Sequence, residues 1–376
     1  MAVPLFLLGG PSPMLRASTD PSAAVAVLPF ENLTAAPEAA AKVRQAIGGA
    51  LAKKGWRVIE GSPVEAALEA ERVRYLDSLD SSVRPRLARV LGASLFALGS
   101  VLAWETGADP RVAFTVSMVR SDGVTIFSDL VSMRAEDAEA LFESGKPFTL
   151  DEVAAEAIRR VAKRIPPPGA ASEPPTTRPL PVHLSSPRTF RSSSLADGAR
   201  HRVAVLPFAN AGPHEAARIV SEIFSRRLAA SMLFDVVSPA DLRAAVVAGR
   251  IHDLSDPAER IRLGKRLGTT LFLTGTIYEF REAYAAASDT PRLEMEATLT
   301  DAATGEIVWT SYASRLGTQY RGLLQLGEIH GIVGLADQSI SEMIHAAEKA
   351  HPVPSLKAAV PGPAPSKTSE EKGKTR

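Results

Sequence analysis

Val25-Ala26-Val27-Leu28-Pro29-Phe30, with Asn32 close behind, returns as Val203-Ala204-Val205-Leu206-Pro207-Phe208 with Asn210. A short, continuously apolar run ended by proline reads as a strand buried on both faces, since proline cannot donate to the ladder and stops it. Further matches follow in the same order. Trp56-Arg57-Val58-Ile59 is answered by Phe234-Asp235-Val236-Val237, and Leu91-Gly92-Ala93-Ser94-Leu95-Phe96 with Gly99 by Leu267-Gly268-Thr269-Thr270-Leu271-Phe272 with Gly275. Shared words in shared order mean two copies of one domain. A repeat of ~180 residues lies far beyond the ~20–50-residue period of solenoids, so each copy is expected to bury its own core.

Between these words the elements correspond one to one. Val43, Ile47 and Leu51 form one apolar stripe on a helix expected from Pro37 to Lys54, and Val220, Phe224 and Leu228 repeat it. Ser62-Pro63 and Ser238-Pro239 then read as helix starts, with serine as cap and proline in the first turn. Helices ending at Gly92 and Gly268 feed strands at 94–104 and 270–280. Two further strands follow in each copy: 112–119 and 124–131 around Ser121-Asp122-Gly123, and 293–299 and 306–311 around Ala303-Thr304-Gly305. A closing helix carries Ala154, Ile158, Val161 and Ile165 behind a Thr149/Glu152 capping box, and its counterpart carries Ile340, Met343, Ile344 and Ala347. The expected fold is α/β, a tandem duplication of a domain with a mixed sheet of about five strands packed by helices.

The domain boundaries follow from composition. Residues 1–21 read as a disordered tail or a signal remnant, 22–165 as the first α/β domain, 166–199 as a Pro/Ser-rich linker, 200–350 as the second α/β domain and 351–376 as a disordered tail. The prolines of the linker predict two domains held apart on a semi-stiff tether that permits relative motion. The apolar run Val3 to Leu8 has no basic residue before it and is about half the length of a signal core; a signal peptide shortened at its basic end and a plain N-terminal tail both fit it. No run of ~18 apolar residues follows, so no transmembrane helix is expected. The 376-residue chain balances 43 basic against 42 acidic side chains, a net charge of +1 that recruits neither nucleic acid nor anionic membrane. It has no cysteine, which excludes disulfides, thiolate metal sites and a lipid-modified cysteine in the sequence as written, and leaves both a periplasmic and a cytosolic setting open.

Three words recur with suitable spacing: Val-Ala-Val-Leu-Pro-Phe-x-Asn at 25–32 and 203–210, Leu-Gly-(Ala/Thr)-x-Leu-Phe at 91–96 and 267–272, and Thr-Gly-Glu-Ile-Val-Trp at 304–309. Together they resemble the α/β domain shared by the N-terminal part of TolB, the periplasmic part of the CsgG curli secretion channel, FlgO and the lipoprotein activators of peptidoglycan synthases. The resemblance covers about residues 22–165 and 200–350, and copy one departs further from it, with Ser121-Asp122-Gly123-Val124-Thr125-Ile126-Phe127 in place of the fuller word. It implies a cell-envelope protein, periplasmic or outer-membrane-associated, working with protein partners and touching membrane only through them. No pair of long alternating segments could form the membrane hairpins of a pore, and no propeller repeat follows the α/β domain.

A search for chemistry returns little. The seven histidines include no His-Glu-x-x-His, so no metal site is expected; Gly264-Lys265-Arg266-Leu267-Gly268 precedes a strand and is the wrong way round for a phosphate loop. Acidic pairs such as Asp151-Glu152 sit at helix starts, where the dipole explains them. No catalytic residue and no cofactor are assigned. Asn32 and Asn210, at the carboxyl ends of buried strands, are candidate ligand contacts, or simple turn formers. The segment 317–334 is more apolar than a solvated loop needs, and Tyr320, Leu323, Leu324, Leu326, Ile329 and His330 are candidates for partner binding, or for packing onto the sheet. The expected function is a non-catalytic accessory protein of the bacterial cell envelope, acting in assembly, secretion or wall synthesis by protein–protein interaction. The alternatives are an enzyme with dispersed residues at strand ends and a cytoplasmic module binding a small ligand between the copies.

Overall fold

Val25 and Val27 enter one apolar cluster while Ala26 and Leu28 enter another, the two-sided burial expected of a strand with helices on both faces. The computed structural model describes residues 24–73, 79–107, 109–135, 137, 149–170, 186–195, 199–231, 233–254, 256–283, 290–321 and 327–353. Copy one runs β1 (Ala24–Val27), β2 (Glu31–Asn32), α1 (Ala39–Lys53), β3 (Arg57–Ile59), α2 (Ser62–Ala70), α3 (Arg84–Leu91), β4 (Leu95–Leu98), β5 (Ser100–Glu105), β6 (Arg111–Arg120), β7 (Thr125–Arg134) and α4 (Leu150–Arg164). Copy two runs β8 (Arg188–Arg191), β9 (His201–Val205), β10 (Ala209–Asn210), α5 (His214–Ala230), β11 (Phe234–Val236), α6 (Pro239–Gly249), α7 (Pro257–Leu267), β12 (Leu271–Arg281), β13 (Arg292–Asp301), β14 (Ile307–Leu316) and α8 (Ile332–Lys349).

Two mixed seven-stranded sheets result, ordered β2-β5-β6-β4-β1-β3 with β7 on β6, and β11-β9-β12-β13-β14-β8 with β10 on β12. Apart from β8, they share one ladder pattern. β1 lies between parallel β3 and β4 as β9 lies between parallel β11 and β12. The ladder slips at the same place in both, between Val101 and Ala103 in copy one and between Ile277 and Glu279 in copy two. The strands beyond five have identifiable sources: two-residue β2 and β10, the division of one run into β4 and β5 at Gly99, and β8.

Local expectations meet the structure at the helix ends. Gly92 and Gly268 take left-handed caps at φ 59° and 61°, and Thr149 with Glu152 closes the capping box. Ser238 accepts the Asp241 amide at 3.1 Å, but Ser62 lies inside α2, and Gly61 with φ 72° stands at its cap. The difference is backbone conformation: a glycine can turn the chain where Ser62 would otherwise have to.

Three expectations are corrected. The stretch expected to be linker supplies β8, antiparallel to β14, and sends Leu195 into the core of copy two. Val353, in the stretch expected to be tail, pairs with Ser192 beside that strand. The copies are not held apart: Leu102, Ala113 and Leu130 of copy one share one apolar cluster with Ile219, Ile223, Leu335 and Ile340 of copy two. In copy one α1 and α4 cover one face of the sheet; α2 and α3 cover part of the other, and the remainder is covered by α5 and α8. That helix layer therefore lies between two sheets. A proline-rich connector limits reach and stiffness, but it cannot overrule an apolar face on each side of it.

Gly275 shows how tight the repeat is. A Cβ there would overlap the Phe208 ring and the Glu296 carbonyl oxygen, and at Gly99 the overlap is with the Phe30 ring and the Thr115 carbonyl. Both glycines let the aromatic of the Pro-Phe word lie against the strand. Gly275→Ala is expected to lower the unfolding free energy by about 1–3 kcal/mol, read from urea denaturation, through overpacking.

Candidate functional site

Copy two docks on copy one through polar contacts set around the shared apolar cluster. Arg218 pairs with Glu31, Arg111 with Glu282 at 3.1 Å, and Arg84 with Asp241 at 3.1 Å. Asp241 also accepts the Ser81 amide at 2.6 Å, and Arg134 donates to the His330 carbonyl at 2.6 Å. Glu282 meets the backbone N–H of Ile332 at 3.2 Å, placing a carboxylate at the start of α8 where the helix dipole favours it. Such pairs contribute orientation more than net stability, because charges leaving water lose much of what they regain by pairing.

Deeper charges show larger effects. Burial works against ionised Asp337, but Arg226 and Arg227 outweigh it and hold the carboxyl below its ordinary range. Asp129 of copy one, facing Arg164 and Arg226, is pushed up by burial despite both cations. Glu222, half-buried where α5 meets the sheet of copy one, is raised by desolvation, although Thr115 and Ser100 hydrogen-bond to it.

A cleft of about 680 Å³ opens between the copies, lined by the 122–125 turn and Arg84 of copy one and by β11, Arg200, Arg202 and Arg266 of copy two. Arg84 is held by Asp241 and Arg200 donates to the Phe234 carbonyl at 3.0 Å. Arg202 and Arg266 are exposed, and among the described residues neither guanidinium has a hydrogen-bond or ion-pair partner. They stand close because the turn after α7 returns to β9, where the Thr270 amide donates to the Arg202 carbonyl at 3.1 Å.

The residues nominated from sequence lie elsewhere. Asn32 accepts the Thr34 amide at 3.0 Å and donates to the Ala36 carbonyl at 2.7 Å; Asn210 accepts the Gly212 amide at 2.9 Å and donates to the Pro213 carbonyl. Both amide side chains are engaged by their own turns. Tyr320 and Ile329 pack against the shared core, and the His330 carbonyl accepts from Arg134 of copy one. Leu323, Leu324 and Leu326 lie outside the described residues. Among the described residues no group of His, Asp and Glu is placed to hold a metal ion, and no helix is long and apolar enough to cross a membrane.

The contact was missed from sequence, yet a signal for it exists. Val112-Ala113-Phe114-Thr115-Val116-Ser117 corresponds to Leu293-Glu294-Met295-Glu296-Ala297-Thr298 by the shared ladder register, so the alternate positions Ala113, Thr115 and Ser117 of copy one become Glu294, Glu296 and Thr298 in copy two. Likewise Ile219 and Ile223 of α5 stand where α1 has Lys42 and Ala46. A helix with a second apolar stripe needs a second surface to cover it.

No protein-family model and no curated protein sequence matches this chain. Among solved structures it is similar to the PelC dodecamer from Paraburkholderia phytofirmans, at 17% identity and TM-score 0.32, covering 44% of this chain and 99% of that one. It is also similar to lipoprotein GNA1162 from Neisseria meningitidis, at 17% identity and TM-score 0.29, covering 38% of this chain and 99% of that one. A third is the LpoB C-terminal domain from Salmonella enterica, at 21% identity and TM-score 0.24, covering 32% and 87%.

Because burial raises Glu222 above its ordinary value of 4.5, the fold favours the neutral acid; its linked stability is complete below the unfolded pKa and lost as pH rises through the folded one. Glu222→Gln, which keeps an acceptor for Thr115, is expected to match the wild type in urea denaturation at about pH 4 and to exceed it at about pH 8.

Proposed function

We propose that this protein is a non-catalytic binding protein of the bacterial cell envelope, an accessory to assembly, secretion or wall synthesis that holds a protein partner. The envelope setting is supported by the repeated words at 25–32 and 203–210 and by Thr304 to Trp309, which resemble the envelope α/β domain. The binding role is carried by one observation: the cleft between the copies presents Arg202 and Arg266, which have no carboxylate partner among the described residues, beside the outer edge of β11. Exposed guanidiniums with five donors each recognise carboxylates on a neighbouring surface, and an edge strand adds backbone donors and acceptors.

The same cleft supports a second reading, a module that binds a small anionic ligand between the copies, since its volume lies within the range of small-molecule sites. The two readings differ in what the arginines retain. Full-length wild type and the Arg202→Glu/Arg266→Glu variant, used as bait in a native envelope fraction, are expected to differ by a discrete protein held by the wild type alone. Identical captured sets would remove the cleft as a protein-binding site, and a cytosolic position of the protein on cell fractionation would remove the envelope setting.

A further inference from the structure

The outer face of β12, β13 and β14 has an unusual standing in this molecule. It carries Tyr278, Glu294, Glu296, Thr298, Thr310 and Tyr312, and these side chains bond one another: Tyr312 to Glu294 at 2.7 Å, Tyr278 to Glu296 at 3.2 Å, Thr298 to Thr310 at 3.1 Å. Tyr278 is 48% exposed. In copy one the equivalent face is the one buried beneath α5. The shared ladder registers match Leu102 with Tyr278, Ala113 with Glu294, Thr115 with Glu296 and Leu130 with Tyr312. One copy therefore demonstrates how this sheet face receives a helix, and in the other no helix among the described residues covers Tyr278, Glu294, Glu296 and Tyr312.

The helix that would complete the pattern is also present and also open. The stripe Val43, Ile47 and Leu51 aligns α1 with α5, so Ala41, Lys42, Gln45 and Ala46 occupy the positions of Arg218, Ile219, Glu222 and Ile223. Ala41, Lys42, Gln45, Gly49 and Ala52 are exposed on α1. The substitutions are paired across the two faces. Within the chain, Thr115 of a small-residue sheet meets Glu222 of a bulky helix, and Glu31 meets Arg218. The corresponding pairs are Glu296 with Gln45, an acceptor facing a donor, and Ala209 with Ala41, two small residues where the ion pair had been.

We propose that this chain associates head to tail with a second copy of itself, the exposed face of α1 in one molecule docking on the outer face of β12–β14 in the next, by the geometry with which α5 docks on β5–β7 within the chain. The interface joins two different surfaces, so it propagates to a ring or an open filament according to its rotation. Lys42 would exchange its present pairing with Asp151, at 3.2 Å and largely in solvent, for Glu294 and Glu296; exposed pairs of this kind hold weakly.

The test uses the full chain with one face blocked at a time. Gly49→Trp obstructs α1, where a Cβ meets nothing within 4 Å, and Glu296→Arg reverses the charge of the sheet face. Wild type is expected to pass from the 39.9 kDa monomer to larger species in sedimentation velocity between about 1 and 200 μM, the range in which micromolar interfaces fill. Each blocked variant is expected to remain monomeric, and their mixture to form a dimer and nothing larger, since one open face of each kind remains. Gln45→Glu is expected to weaken association about tenfold or more by setting a carboxylate against Glu296, with Glu296→Gln in the same chain restoring it. Circular dichroism melts matching the wild type establish that each variant is folded. A wild type that stays monomeric throughout, a blocked pair that fails to form a dimer, or blocked variants that still assemble would each overturn the proposal. None of these outcomes depends on the cleft, whose arginines are untouched.

Discussion

Burial of the α5–α8 layer between two sheets is the constraint on which the rest of the molecule depends. Val220, Phe224 and Leu228 serve the sheet of copy two, while Ile219 and Ile223 extend the apolar surface toward Leu102, Ala113 and Leu130 of copy one. A helix apolar on so much of its circumference is stable only when enclosed. The pair of domains is consequently one packed body, and the cleft along β11 exists because the 122–125 turn and Arg84 of copy one are carried to that edge.

Enclosure has an electrostatic consequence. Once α5 and α8 are covered on both sides, their polar positions must find partners inside the protein, because an unpaired buried charge costs several kcal/mol. Arg226 and Arg227 converge on Asp337, and Glu222 is met by Thr115. The pair that crosses to copy one fixes the docking geometry: sliding the helices along its sheet would separate Glu222 from Thr115, a partner that water could no longer replace.

Duplication followed by divergence also separates the roles of the two copies. Equivalent strands have kept their ladder, their slip and their glycines, which the backbone requires, and have changed on the alternate face, which the backbone does not constrain. On that face copy one acquired small and apolar residues and copy two glutamates and tyrosines. The cleft arginines Arg202 and Arg266 come from copy two: Arg202 aligns with Ala24 and Arg266 with Val90, so nothing in the shared words marks them.

The order of strands and helices, the helix caps at Gly92, Gly268, Thr149 and Ser238, and the existence of two copies were legible along the chain, because each is set by neighbours a few residues apart or by a repeated word. The burial of α5 on both sides was legible only in part, as the added stripe of Ile219 and Ile223, whose partner surface no local pattern names. Tertiary structure alone decided that β8 would leave the proline-rich stretch to pair with β14, that Asn32 and Asn210 would be engaged by their own turns, and that Arg202 and Arg266 would meet Arg84 across a cleft. Local sequence determines which elements form and which faces must be covered; what covers them is a choice among distant surfaces, settled by shape and charge when the chain is packed.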